Sequence, residues 1–308
     1  MSSRMPSFLH HPVNGVLLLD KPVGVTSNAA LQRAKHLLGA AKAGHIGTLD
    51  PLASGLLPVC LGEATKFSSS AFFADKVYFA EIVLGMTTTT GDAEGDVVTR
   101  APVRASLGEI GETLRRFVGT IAQTPPRYSA VKRNGKALYA YARAGETMVV
   151  APRPVRIYEL QLLDYNSERL RVRVHCGSGT YVRALAEDIG RELGCGAMLA
   201  ALRRLRVGMF DISAAVDFDA IEATPDRQRA NLLLPIEQLV SALPECVLNP
   251  AETRRVVTGR SGHIPAGQRG QVRLYDAEHR FLGIGEVLVE GTVTPRRLLA
   301  TAIMRPAD

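Results

Sequence analysis

The sequence predicts an α+β fold that ends in a small β-rich module. Three observations lead there. Strand-like and helix-like segments are interspersed without strict βαβ alternation. Residues 239–308 hold one short helix signal followed by three strand-like runs. The length of 308 residues corresponds to about two domains.

The elements follow in chain order. Residues 16–19 are an apolar run that reads as a buried strand. Ser27 or Asn28 can cap a helix that reaches Leu38. Ala30, Leu31, Ala34, Leu37 and Leu38 fall on one of its faces, and Gly39 can end it. Residues 44–55, GHIGTLDPLASG, place four glycines or prolines in twelve positions, too many for a regular element. Strand character returns at 56–61 and again at 77–84. Ser106 and Glu109 form a capping box ahead of Ile110, Leu114 and Phe117, which have helical spacing. Residues 158–165 and 170–176 read as a strand pair around an Asn166-Ser167 turn. Thr180 opens a helix with Leu185, Ile189 and Leu193 on its apolar side and Gly194 as its stop. A boundary is expected between 236 and 248, after which Asn249 caps a short helix with Pro250 in its first turn. Strands are expected at 271–276, 281–289 and 297–304.

Composition narrows the function. No apolar run approaches the ~18 residues of a membrane span, and residues 1–14 lack a signal-peptide core. The cysteines Cys60, Cys176, Cys195 and Cys246 contain no Cys-x-x-Cys pair. A zinc ribbon or thioredoxin-type site is therefore not expected, and a reducing cytoplasm is the expected location. The net charge is +7 and arginines far outnumber lysines. Residues 127–156 carry Arg127, Lys132, Arg133, Lys136, Arg143, Arg153 and Arg156 against the single acid Glu146. A second cluster is Arg203, Arg204 and Arg206. Guanidinium groups fork onto phosphates and stack on bases, which suits an RNA partner.

Asp50 stands in the glycine- and proline-rich loop, with Pro51 restricting its backbone. From the residues alone a carboxylate there can be a turn residue, a nucleophile, a base or a metal ligand. No second acidic or histidine cluster with ligand spacing lies near it.

The loop GHIGTLDPLASG, preceded by Asn14, Gly15, Asp20, Lys21 and Pro22, resembles the bacterial TruB family of tRNA pseudouridine synthases. The similarity extends through Lys76-Val77-Tyr78, residues 123–145, GTYVRALAEDIGRELGCG at 179–196, Leu202-Arg203-Arg204 and VTPRRLL at 293–299. One stretch departs, at Thr89 within TTTTGDAEG, where many members have an acid.

The resemblance implies a pseudouridine synthase fold, with a mixed, largely antiparallel central sheet and helices, over residues 11–238. It also implies a basic thumb at about 127–150 and a PUA-like RNA-binding domain over 239–308. It implies isomerisation of uridine 55 in the tRNA T arm, without cofactor or metal. Asp50 matches the nucleophile, Arg183 the arginine that pairs with it, and Tyr78 the tyrosine that stacks on the flipped base and handles a proton. His45, Tyr181 and Leu202 match substrate-contacting positions. Lys21, Arg127, Lys132, Arg133, Lys136, Arg143, Arg203 and Arg204 are the expected RNA contacts. The expected partner is tRNA, held by its T arm and by its acceptor side through the C-terminal domain. The chain is expected to be a monomer with no obligate protein partner and no membrane. A second role as a tRNA-folding chaperone is compatible with the same features. A guide-RNA-dependent synthase would share the aspartate loop, but the thumb and VTPRRLL point away from it.

Overall fold

The computed structural model describes residues 13–303 except 70–73, most of 127–149, and 167, 265–266, 268 and 289–290. Its N-terminal strands are β1 (Gly15–Lys21), β2 (Ala43–His45), β3 (Ala53–Leu61), β4 (Lys76–Leu84), and the hairpin of β5 (Met86–Thr88) with β6 (Val97–Arg100). Next come β7 (Gly119–Gln123), β8 (Lys132–Arg133), β9 (Lys136–Ala137), β10 (Arg153–Asn166), β11 (Arg169–Cys176), β12 (Ala197–Val207), β13 (Phe210–Asp211) and β14 (Leu233–Leu234). The accompanying helices are α1 (Ser27–Leu37), α2 (Leu107–Arg116), α3 (Val182–Glu192) and α4 (Phe218–Ala223).

The main sheet runs β14-β1-β3-β12-β4-β11-β10-β7, with β2 beside β3 and β13 beside β12. Within this sheet only the β3–β12 ladder is parallel among the described strands, so the sheet is mixed and largely antiparallel, as expected. The apolar stripes account for its covering. Leu114 of α2 and Leu185 and Ile189 of α3 join Ile82, Val172 and Leu199 in one core. Leu31 and Ala34 of α1 and Ile221 of α4 join Leu17, Leu19 and Leu57 in another.

Several element ends differ from expectation, each for a local reason. Thr26 caps α1 by accepting from Ala29 N, which leaves Ser27 free for a different task described below. Helix α3 begins at Val182, with Tyr181 and not Thr180 at its N-cap. The Ser106–Glu109 capping box forms with both reciprocal bonds, Glu109 N to Ser106 Oγ (3.3 Å) and Ser106 N to Glu109 Oε2 (2.8 Å). Strand β12, central to the sheet, was not expected as a strand at all, because its Arg203, Arg204 and Arg206 read as surface charge.

The C-terminal module contains β15 (Glu245–Val247), α5 (Pro250–Val257), β16 (Gly262–His263), β17 (Gly270–Tyr275), β18 (Phe281–Val287), β19 (Thr292–Leu298) and α6 (Ala300–Ile303). Its sheet order is β15-β17-β18-β19-β16. Asn249 caps α5 by accepting from Glu252 N (2.9 Å), with Pro250 at the helix start. The strand expected at 297–304 lies instead at Thr292–Leu298. Pro295 sits opposite Gly285 beside a β-bulge, the setting in which a strand accepts proline. The chain then turns helical because Glu63 Oε2 accepts from Ala300 N (2.6 Å). Phe281, Ile284 and Leu299 dock the module onto Phe67, Ile236 and Leu239 of the larger body.

Candidate active site

The loop between β2 and β3 is held from four sides. Ile46 N donates to Pro58 O (3.0 Å), Gly24 N to Pro51 O (2.8 Å), and Ala53 N to Asp50 O (3.1 Å). The Ser27 hydroxyl accepts from Leu49 N and donates to Leu49 O, both at 2.8 Å, which is why a buried serine stands one residue inside α1. Leu49 and Leu52 are buried in the core on either side of Asp50, whose side chain remains 39% exposed. The loop thus presents one carboxylate to solvent from a rigid mount.

Arg183 enters from the first turn of α3, its side chain only 5% exposed. Its Nη2 donates to Asp50 Oδ2 (2.6 Å) and its Nη1 to Thr90 O (3.2 Å), and Nε faces Asp92 Oδ2 at 3.3 Å. A buried guanidinium needs such partners, because an unpaired buried cation is strongly disfavoured. Asp92 is itself 3% exposed and accepts from Thr90 Oγ1 (2.5 Å) and Glu94 N (3.1 Å). Its turn is tied to β12 by Ala93 N to Leu199 O and Leu199 N to Gly91 O, each 3.0 Å. Asp92 was not among the expected site residues. The departure at Thr89 falls in the same turn, where its hydroxyl accepts from Asp96 N (3.1 Å) and so serves the turn itself.

Tyr78 lies on β4 in the same core as Leu49 and Leu52, 8% exposed. Burial holds its hydroxyl above the ordinary phenol range, while a hydrogen bond and the charge of Arg204 pull the other way. Burial and the Arg204 charge hold the His45 imidazole, half-buried at the end of β2, below its ordinary range; its Nδ1 has no hydrogen-bond partner among the described residues. Tyr181 is clasped by Gln123, which accepts from Tyr181 N (2.8 Å) and donates to Tyr181 O (3.0 Å). The Arg153 guanidinium lies 5.5 Å from the Tyr181 ring centre. Leu202 sits on β12 opposite Ala53 and Ala80 and packs against the core.

Two of the expected RNA contacts are corrected. Lys21 is 0% exposed, and its ammonium donates to Pro22 O (2.8 Å) and Val25 O (2.6 Å). Arg204 is 1% exposed and donates from Nε to Leu56 O (2.7 Å) and from Nη2 to Gly47 O (2.9 Å). Both support the loop and cannot reach a phosphate from where they lie. Arg203 is 40% exposed, but its guanidinium already forks onto Asp20, at 3.0 and 2.6 Å. Burial and, after it, the Arg204 charge lower the ammonium groups of Lys21 and Lys76 to about 8. Arg127 and Arg143 lie outside the described residues. Lys132 and Arg133 pair through the backbone with Ala137 and Lys136 in the β8–β9 ladder.

No helix among the described residues is long and apolar enough to cross a membrane. No three His, Cys, Asp or Glu side chains among them are grouped as metal ligands.

Family models match most of the chain. Residues 35–182 match the N-terminal domain of TruB family pseudouridylate synthases, residues 183–241 a C-terminal domain of tRNA pseudouridylate synthase B, and residues 244–299 the TruB C-terminal domain of pseudouridine synthase II. A protein of Aromatoleum aromaticum named tRNA pseudouridine synthase B is 52% identical over 289 residues, 94% of either chain. One of the same name from Nitrosospira multiformis is 48% identical over 299 residues, 93% of this chain and 96% of its own. Among solved structures, a chain of a Cbf5-Nop10-Gar1 complex is 27% identical with a TM-score of 0.69, covering 96% of this chain and 82% of that one. A chain of an archaeal box H/ACA sRNP Nop10-Cbf5 complex is 25% identical with a TM-score of 0.70, covering 94% and 86%.

Proposed function

The chain belongs to the TruB family of tRNA pseudouridine synthases, and we propose that it converts uridine 55 of the tRNA T arm to pseudouridine with Asp50 as nucleophile. One observation carries the reading: a half-exposed carboxylate on a rigid loop is gripped at 2.6 Å by a buried arginine beside a buried tyrosine.

The target base must leave its stack to reach Asp50, at a cost of a few kcal/mol that stacking and base-edge contacts offset. Tyr78 forms the stacking wall, with Tyr181 and His45 at the margins and the Leu202 backbone along the uracil edge. The carboxylate suits the task because it can attack and later leave. Arg183 grips it and fixes its aim. The bond from ribose to N1 breaks, and a new bond joins ribose to C5. C5 gives up a proton, N1 gains one, and nothing else is consumed. Tyr78 is the group assigned to that proton.

In this reading residues 11–238 form the catalytic domain. The basic segment at about 127–150 closes on RNA as a thumb, and residues 239–308 rest on the acceptor side. The chain acts as a monomer in the cytoplasm.

Incubation with unmodified tRNA and chemical mapping of pseudouridine tests the proposal. The wild-type protein should modify that T-arm uridine, and Asp50→Asn should not. Modification confined to another position would overturn the substrate assignment. Turnover by Asp50→Asn at about a tenth of the wild-type rate or more would exclude Asp50 as nucleophile.

A further inference from the structure

Arg204 is the bulkiest of the fully buried side chains among the described residues, and there it forms no ion pair. Its partners are the carbonyls of Leu56 and Gly47 and the Tyr78 hydroxyl. Of these, only the hydroxyl can itself become an anion. The register puts the two side chains on one face of the sheet. Arg204 lies directly opposite Tyr78 in the β12–β4 ladder and beside Gly55 in the β12–β3 ladder.

The Asp50 loop is shaped around this residue. Gly55 has φ 99°, and a Cβ there would lie 2.3 Å from Arg204 O. Gly47 has φ 72°, and its Cβ would lie 3.1 Å from Arg204 Nη1. Only glycine combines that backbone conformation with so close an approach. One guanidinium therefore touches both ends of the Asp50 loop and the tyrosine across from it.

We propose that Arg204 is a positioning residue for the Tyr78 hydroxyl. Its guanidinium donates to the phenol oxygen from behind, leaves the O–H directed toward the cleft, and offsets the negative charge on that oxygen when its proton departs. The proposal rests on the proton role given to Tyr78 above. In that step Tyr78, having released its own proton to solvent, takes the proton from C5. The electron pair of the C–H bond restores the ring double bond, and N1 takes a proton from water.

The charged and titratable groups facing Tyr78 are Arg204 from β12, Cys176 from β11 and Asp50 from the loop. Arg204 alone favours the phenolate, while burial, Cys176 and Asp50 oppose it. Loss of Arg204 should therefore make the Tyr78 proton harder to remove.

The chain has no tryptophan, so the ultraviolet band of tyrosinate can be read without indole overlap. Subtracting the titration of Tyr78→Phe from that of the wild type isolates Tyr78. The same subtraction is made in Arg204→Gln and Arg204→Lys backgrounds, alongside single-turnover rates against pH and tRNA binding. In Arg204→Gln the Tyr78 step and the acid limb of the rate profile should both move to higher pH. The rate at neutral pH should fall about tenfold for each pH unit moved, with tRNA binding retained. Arg204→Lys keeps the charge but has fewer donors, and should fall between wild type and Gln. It carries the test if the Gln variant does not fold.

A slower rate with the Tyr78 step and the acid limb unmoved would mean that Arg204 only supports the fold, and would overturn the proposal. So would a wild-type Tyr78 that stays protonated until the protein unfolds in alkali, whatever the variants do. If Tyr78→Phe is as active as wild type, the proton role of Tyr78 fails first. If Tyr78→Phe is slow and the Arg204 variants leave the limb in place, only the present proposal fails.

Discussion

Replacing Arg183 with Met separates what this residue does for stability from what it does for Asp50. Methionine fills the volume of the stem but brings no charge. The change strands Asp92, 3% exposed, which loses a cation at 3.3 Å. Breaking a buried pair by removing one partner costs about 3–5 kcal/mol. Asp92 keeps its bonds from Thr90 Oγ1 and Glu94 N, which places the loss near the lower end, at ~3 kcal/mol. Asp50 is 39% exposed, so its share of that loss is small. Its share of catalysis is not. A charge-assisted bond worth about 1.5–3 kcal/mol corresponds to roughly 10- to 100-fold in rate if it acts in the transition state. Urea melts and single-turnover pseudouridine formation read the two effects separately. Adding Asp92→Asn to Arg183→Met removes the stranded charge. Most of the lost stability should return while the rate stays low, because Asp50 still lacks its donor. A double variant as unstable as the single one, or one that regains the rate, would refute this division of roles.

Four further outcomes are expected. Asp50→Asn should abolish pseudouridine formation and leave tRNA affinity nearly unchanged, as a filter-binding assay beside the modification assay would show. Tyr78→Phe should bind tRNA normally yet react roughly 10²- to 10⁴-fold more slowly; a Phe variant near wild type with an inactive Tyr78→Leu would leave stacking as the only role. Replacing Lys132, Arg133 and Lys136 with Ala should weaken binding to all RNA sequences alike and lower the log–log salt slope by about 0.7 to 0.9 per lost phosphate contact; an unchanged slope would place these side chains away from RNA. Finally, burial and the Arg204 charge lower the Lys21 ammonium from 10.5 to about 8. Between those values the unfolded chain binds the extra proton, so this group makes stability rise with pH there. Lys21→Met should remove about half of that rise in urea melts, Lys76 carrying the rest, and an unaltered pH dependence would count against a buried ammonium.

What the sequence made legible was mostly what neighbouring residues decide among themselves. The Ser106–Glu109 box and the Asn249 cap each involve groups three residues apart, and both form as read. The apolar stripes of α1 and α3 likewise predict the faces they bury. Asp50 and Arg183 are 133 positions apart, and no local pattern joins them; only the family resemblance paired them in advance. Asp92 was missed because its turn reads as a polar run of threonines and glycines, and its burial depends on the distant strand β12. Strand β12 was missed in turn because a buried arginine breaks the alternation that marks a half-buried strand. Both misses have the same origin: polar side chains turned inward to build the site.

The same inward turn changes how the chain's charge bears on RNA. A net charge of +7 invites a count of cations as phosphate contacts, but a count does not show which way they face. Lys21 and Arg204 are committed to carbonyls inside the fold, and Arg203 to Asp20. In the C-terminal module Arg273 is tied to Glu245 and Arg280 to Asp276. Arg153 and Arg156 are different. Among the described residues they meet neutral groups, Arg153 the Gly179 carbonyl and the Tyr181 ring, Arg156 the Thr120 hydroxyl. Among the described residues no carboxylate cancels their charge, and they stand at the exit of the basic segment, at the start of β10, where Arg153 lies beside Tyr181. The salt dependence of tRNA binding should therefore reside in residues 127–156. Substitution of Arg203 or Arg204 should change the rate or the stability and leave the salt slope as it is.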